Sequence, residues 1–277
     1  MRRLVLNDGT EIPVIGQGTW RMGERAAERK SEVAALQAGI DLGLTLIDTA
    51  EMYGNGGAEE VTGDAIAGRR KDVYLVSKVL PSNASRAGTI KACEQSLKRL
   101  GTDYLDLYLL HWRGSYPLAD TLAAFQELKK TGKIRAFGIS NLDSSDMKEW
   151  LGLPGGSDAV ANQILYNVGV RGPEHDLVPI MAKAKVALMA YCPLAQGEVD
   201  GFRQLEPIAR RHDATVAQIM LAWATRHPLS FAVPKSRTIA RLKENAAAGD
   251  IVLTPQDLAE IDAAFPAPKK AVPLEMI

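Results

Sequence analysis

Short apolar runs rich in β-branched and aromatic residues alternate along the chain with longer stretches whose apolar positions recur every three to four residues. The short runs number eight: "VIGQGT" (14–19), "LTLIDTA" (44–50), "DVYLVSKV" (72–79), "YLDLYLLHW" (104–112), "IRAFGISN" (134–141), "AVANQILYN" (159–167), "VALMAYCPL" (186–194) and "SFAVPK" (230–235). Most are apolar almost throughout and turn polar only at their C-terminal ends, the pattern of strands covered on both faces. Helical periodicity fills the intervals at 31–42, 57–67, 87–100, 118–130, 144–151, 177–184, 202–211, 216–225 and 239–247. A last helix is expected over 255–264, with Thr254 as its N-cap. Ahead of all this, "RRLVLNDGTEIPVIG" reads as a hairpin turning at Asp8-Gly9.

Eight strands alternating with helices predict a parallel sheet, and eight such units in about 250 residues are the size of a closed (β/α)8 barrel. The fold expected is therefore an α/β (β/α)8 TIM barrel with an N-terminal β-hairpin and an extra C-terminal helix, in one domain over 1–277. The rival is an open doubly wound sheet. Its dinucleotide fingerprint needs three glycines opening a helix; "GQGTWR" lacks the third, and no helical pattern begins there.

Composition narrows the function classes. The 277 residues balance 33 basic against 33 acidic side chains, so no basic face for nucleic acid is expected. No segment has the ~18 apolar residues that span a bilayer, and the N-terminus does not resemble a signal peptide. Cys93 and Cys192 are far apart and lack metal-ligand spacing, which favours free thiols in a reducing compartment and no metal site. A cytoplasmic monomer acting on a small molecule is the expectation.

In a barrel, chemistry sits where strands end and the following loops begin. Those positions hold Asp48, Lys78, His111, Ser140, Asn141, Gln163, Tyr191, Lys235 and Ser236. Asp48 to Lys78 is 30 residues and Lys78 to His111 is 33, close to one strand–helix repeat, so the three fall at equal heights on neighbouring strands. Tyr53 lies in the glycine-rich loop just beyond Asp48 and can fold back over them. A free phenol near pKa ~10 is a poor acid at neutrality. An adjacent ammonium, Lys78, is expected to lower it, with Asp48 holding Lys78 charged and His111 donating a hydrogen bond to a substrate oxygen. Such a set protonates an oxygen that gains electron density. A Schiff-base lyase using Lys78 as nucleophile is disfavoured, because Asp48 would keep the amine protonated.

At these residues the sequence resembles the aldo-keto reductase family. "LIDTAEMYGN" matches its D-T-A-x-x-Y-G signature, "SKV" its strand-3 lysine, "LLHW" its strand-4 histidine, "GKIRAFGISN" its strand-5 motif, and "PKS" with the following Arg and Glu-Asn its C-terminal signature. The resemblance implies hydride transfer from a nicotinamide cofactor, usually NADPH, to an aldehyde or ketone. It implies Tyr53 as proton donor, supported by Asp48, Lys78 and His111. Ser140, Asn141 and Gln163 would hold the carboxamide, Tyr191 would stack on the nicotinamide, and Pro193 and Leu194 would border the pyrophosphate. Gly18, Thr19 and Trp20, at the end of the first strand, join the cofactor set. Cys192 stands where the family commonly has serine. Some relatives sense nicotinamide redox state while bound to a partner, so a cofactor-binding regulatory module with little turnover is the alternative function.

The segment "VPKSRTIARLKEN" (233–245) has its own physics. Lys235, Arg237 and Arg241, with the hydroxyls of Ser236 and Thr238, surround a helix start, an arrangement suited to a phosphate. The expectation is the 2′-phosphate of NADPH, with Arg241 as principal partner and Glu244 and Asn245 toward the adenine; NADH would not need these cations. Trp20, Met22, Tyr53, His111 and Trp112 are expected to wall the substrate site, with Arg21 and Arg113 available to attract an anionic group. The short loop after strand 4 and the short tail predict a shallow, open site for small aldehydes and dicarbonyls such as methylglyoxal.

Overall fold

A computed structural model describes residues 1–277. The hairpin pairs β1 (Arg3–Val5) with β2 (Glu11–Pro13), turning at Gly9, whose φ of 86° is left-handed. Leu4, Leu6 and Ile12 face inward and join the main core.

Eight parallel strands follow in sequence order: β3 (Gln17–Gly18), β4 (Leu46–Asp48), β5 (Tyr74–Val79), β6 (Leu105–Leu110), β7 (Ile134–Ser140), β8 (Ala161–Leu165), β9 (Ala187–Tyr191) and β10 (Ser230–Ala232). The first and last strands meet: Gly16 N–H donates to the Ala232 carbonyl at 2.8 Å, Ala232 N–H to Val14 at 2.9 Å, and Gly18 N–H to Pro234 at 3.0 Å. These bonds close the sheet into the expected barrel. Every residue of β4, β6 and β8 is buried, which is why those runs carry no polar alternation.

Helices α1 (Arg29–Asp41), α2 (Gly57–Ile66), α3 (Arg86–Leu100), α4 (Leu118–Lys130), α5 (Ser144–Gly152) and α6 (Leu177–Ala184) cover the barrel. They are followed by α7 (Glu206–Arg211), α8 (Val216–Ala224), α9 (Ile239–Ala248) and α10 (Pro255–Ala264). Local chemistry sets their ends. Thr215 opens α8 and Thr254 opens α10 through capping boxes with Gln218 and Asp257. The helix expected over 202–211 is shorter than its periodicity: Val199–Leu205 forms irregular 3₁₀ turns broken at Phe202, and α7 starts only at Glu206-Pro207, where proline favours a helix's first turn. The strands also end earlier than their apolar runs, and Pro193 and Pro234, which lack an N–H for the ladder, lie just past β9 and β10.

Candidate active site

The C-terminal ends of the strands open into one cleft of about 880 Å³, near the upper end of the usual range for small-molecule sites. Lys78, on β5, is wholly buried, and its Nζ reaches Asp48 Oδ1 at 2.8 Å, the Thr49 carbonyl at 2.8 Å and Tyr53 Oη at 3.3 Å. Asp48 Oδ1 also accepts from Gln163 Nε2 at 3.0 Å. His111 packs edge-on against Tyr53, ring centroids 5.6 Å apart, and against Trp112 at 4.8 Å. The four residues drawn from three strand ends and one loop thus meet, with Tyr53 and His111 on the cleft wall.

Burial dominates the electrostatics. It pushes the Lys78 ammonium down and the Asp48 carboxyl up, each opposed by the other's charge. Burial, with the Lys78 charge, drives His111 down to about 2, so its imidazole is neutral throughout the physiological range. Its Nδ1 is buried without a partner. A proton on Nε2 leaves only an unpaired acceptor inside, a smaller penalty than an unpaired N–H, and gives His111 a donor to offer. Tyr53 departs from expectation. Its phenol is raised well above 10 by burial and by Asp48 and Cys192, not lowered by Lys78. The Asp48 carboxylate, 2.8 Å from Nζ, opposes the ammonium's pull on the phenol.

Most of the expected cofactor residues also line the cleft: Gly18, Trp20, Asn141, Gln163, Tyr191, Pro193, Leu194, Lys235, Ser236, Arg241, Glu244 and Asn245. Tyr191 Oη donates to Asn141 Oδ1 at 3.1 Å, which aligns ring and amide on one wall. Four residues lie elsewhere. Ser140 is fully buried, and its hydroxyl donates to the Gln163 carbonyl at 2.9 Å while accepting from Asn141 Nδ2 at 3.2 Å; it braces Asn141 from behind. Thr19 is fully buried and donates to the Asp48 carbonyl at 3.0 Å. Arg237 turns away to Glu28 and Glu32, and Thr238 contributes only backbone to the Ser236 hydroxyl.

Two substrate-wall expectations change. Met22 is completely buried in the core, because Arg21 adopts a left-handed φ of 61° and the reversed chain turns Trp20 to the cleft and Met22 inward. Arg113 is paired with Asp146 and Glu149, both at 2.6 Å, and is not free for a substrate anion. Arg21 remains on the cleft, stacked on Trp20 at 4.4 Å. The tail, expected to leave the site open, brings Met276 and Ile277 to the wall. Met52, the loop residues Gln196, Val199 and Asp200, and Thr215 to Ala217 at the start of α8 were not foreseen as lining. Only the last had a signal: a helix following another helix with no strand between them has its capped start free for the cleft.

One end of the cleft carries unpaired cations. Lys235 and Arg241 line it without an ion-pair partner, while Arg237 beside them is neutralised by acids. Thr238, the N-cap of α9, makes no side-chain cap, so the first N–H groups of the helix have no side-chain partner. A polar amide wall next to an aromatic ring at one end, and free cations at a helix start at the other, fit the nicotinamide and phosphate ends of a dinucleotide.

Comparison with known proteins places the chain in a family. The aldo/keto reductase family matches residues 14–265. Methylglyoxal reductase YeaE of Escherichia coli is 52% identical over 271 residues, covering 96% of this chain and 95% of that protein. Glyoxal reductase of Bacillus subtilis is 35% identical over 267 residues, covering 93% and 91%. A Klebsiella pneumoniae aldo/keto reductase crystallised with NADP and acetate superposes with a TM-score of 0.96 at 48% identity, each chain covered in full. The chain belongs to the aldo/keto reductase family and is an NAD(P)H-dependent oxidoreductase.

Proposed function

We propose that the protein reduces small aldehydes and dicarbonyls, methylglyoxal among them, to alcohols with NADPH, using Tyr53 as proton donor. The observation that carries this is the Asp48–Lys78–Tyr53 chain at the floor of a cleft whose far end holds unpaired cations. The similarity to a methylglyoxal reductase and a glyoxal reductase supports the substrate class.

NADPH, when bound, supplies the hydride that goes to the carbonyl carbon. Asn141, Gln163 and Tyr191 would hold its nicotinamide end, and Lys235, Arg241 and the start of α9 its 2′-phosphate end. The protein's own part concerns the carbonyl oxygen. His111, kept neutral, donates from Nε2 to that oxygen and orients it. As the oxygen becomes an alkoxide it is far more basic than a phenolate, so Tyr53 can protonate it although its own pKa is raised. The phenolate left behind is stabilised by Lys78 Nζ, 3.3 Å away. Asp48 and the Thr49 carbonyl fix Nζ, so no reorganisation is needed as charge develops. Trp20, Trp112 and Met52 supply apolar wall.

The proposal includes a monomer in the cytoplasm, where both cysteines, free in the structure, would stay reduced; no helix is long and apolar enough to cross a membrane. The test follows NADPH absorbance with methylglyoxal, glyoxal and a panel of larger ketones. Turnover is expected to be greatest with the small dicarbonyls. Tight NADPH binding with no turnover of any carbonyl would replace this reading with a redox-sensing module.

A further inference from the structure

The loop that carries Tyr53 has little of its own to hold it. Gly54, Asn55 and Gly56 are all left-handed, with φ of 57°, 52° and 92°. The backbone N–H groups of Tyr53 and Asn55 bond only locally, to Ala50 and Met52. Besides Lys78 itself, one side chain ties this loop to the β5 strand and its continuation. Glu51 Oε1 accepts from the Leu80 N–H at 2.7 Å and from Asn83 Nδ2 at 3.0 Å. Leu80 is two residues beyond Lys78, and its N–H lies past the end of the β5 ladder, where it needs a partner. On its other sides the loop rests on the Met22–Gly23 backbone, where a Cβ on Gly54 would stand 2.9 Å from the Met22 carbonyl oxygen, and on Arg99, where a Cβ on Gly56 would stand 2.6 Å from the Arg99 Cδ. Arg99 is paired with the buried Glu59, which also accepts from Ser77, the neighbour of Lys78. The floor of the loop is thus fixed, and Glu51 supplies the lateral tie.

We propose that Glu51 is a positioning residue that sets the separation between Tyr53 Oη and Lys78 Nζ. Glu51 is not on the cleft wall and touches neither the cofactor nor the substrate region. It acts through Tyr53, two residues on, by fixing the backbone of the proton donor to the chain that follows its ammonium partner. The inference rests on the proton-donor role proposed above. It predicts a defect in proton delivery and none in cofactor binding. A misplacement of ~1 Å in a reacting group costs roughly 100-fold in rate.

The test compares Glu51→Ala, Glu51→Gln and Asn83→Ala with the native protein and Tyr53→Phe, all with NADPH and methylglyoxal. Glu51→Ala is expected to lose about 10- to 100-fold in kcat, with NADPH affinity by fluorescence titration within about twofold of native. Its solvent deuterium isotope effect should rise as proton transfer becomes limiting. Because both bonds go to one oxygen, the Glu51→Gln carbonyl can accept both, and this variant should regain most of the native kcat. Asn83→Ala, losing one bond, should fall between. Native kcat and isotope effect in Glu51→Ala, with Tyr53→Phe inactive, would overturn this inference alone. So would a Glu51→Gln as slow as Glu51→Ala, which would make charge the cause, or a loss of NADPH affinity that tracks the loss of kcat. Full activity in Tyr53→Phe would overturn the proton-donor reading and this inference with it.

Discussion

At one end of the cleft, Lys78 is wholly buried and its three N–H bonds already have three oxygens. At the other, Lys235 and Arg241 face the same cleft with no acidic partner. The first end is complete as it stands, with its charges cancelled internally and its geometry set by strand ends. The second is an unbalanced cluster at a helix start, and burial and the neighbouring Arg237 lower the Lys235 ammonium. An anion there relieves repulsion, whereas an anion at the first end would only compete with Asp48. On the function proposed above, the difference separates the labour: chemistry would be built where polar groups are paired and dry, and cofactor choice where they are left unpaired.

That division can be broken by moving charge at the open end. Arg241→Ala is expected to weaken NADPH by about 10- to 100-fold, the range for losing a hydrogen bond to a charged group, while NADH changes by less than about threefold. Dissociation constants by fluorescence quenching decide it; equal losses for both cofactors would show that Arg241 does not read the 2′-phosphate. Arg237→Ala is the sharper contrast. Its cation is already committed to Glu28 and Glu32, so the effect on NADPH should stay below about threefold, the scale of an exposed pair. A loss as large as that of Arg241→Ala would mean that Arg237 swings into the cleft.

The smallest effect expected belongs to the closed end and to pH. His111 is held down to about 2, so it gains no proton between pH 8 and 5.5, and kcat/KM should show no acid limb near 6.5. Lys78 is lowered from its ordinary value by burial, so activity should decline on the alkaline side, as pH rises and the ammonium is lost. A break near pH 6.5 with activity falling toward acid would mean that His111 titrates and that its environment is wetter than the cleft indicates.

Sequence spacing revealed the closed end because a barrel repeats itself. Asp48, Lys78 and His111 recur at about one strand–helix unit, which puts them at or beside the ends of three adjacent strands; equal height does not follow, since Asp48 is level with Val76 and Lys78 with Leu109, so each steps two positions past its neighbour. Single-residue reversals were not legible. Trp20 and Met22 look equivalent in sequence, but the left-handed Arg21 between them sends one to the cleft and the other to the core. Ser140 and Asn141 are adjacent and both polar, yet Asn141, with φ 55°, turns onto the wall and leaves Ser140 behind it. By sequence Arg237 is one of three equivalent cations. The acids that remove it come from positions 28 and 32, distant in sequence and adjacent only once the barrel closes. Met276 and Ile277 carry no periodicity that would place them at the mouth.

Binding and chemistry are proposed to be separable along this cleft, with Tyr53 serving only the second. Tyr53→Phe tests it in one experiment that reads both quantities. NADPH affinity should remain within about threefold of native, while methylglyoxal reduction should fall by roughly 100- to 10,000-fold, the range for removing a general acid. Reduction at the native rate would remove Tyr53 as proton donor, and a loss of NADPH binding large enough to explain the lost turnover would show that Tyr53 serves both ends of the cleft.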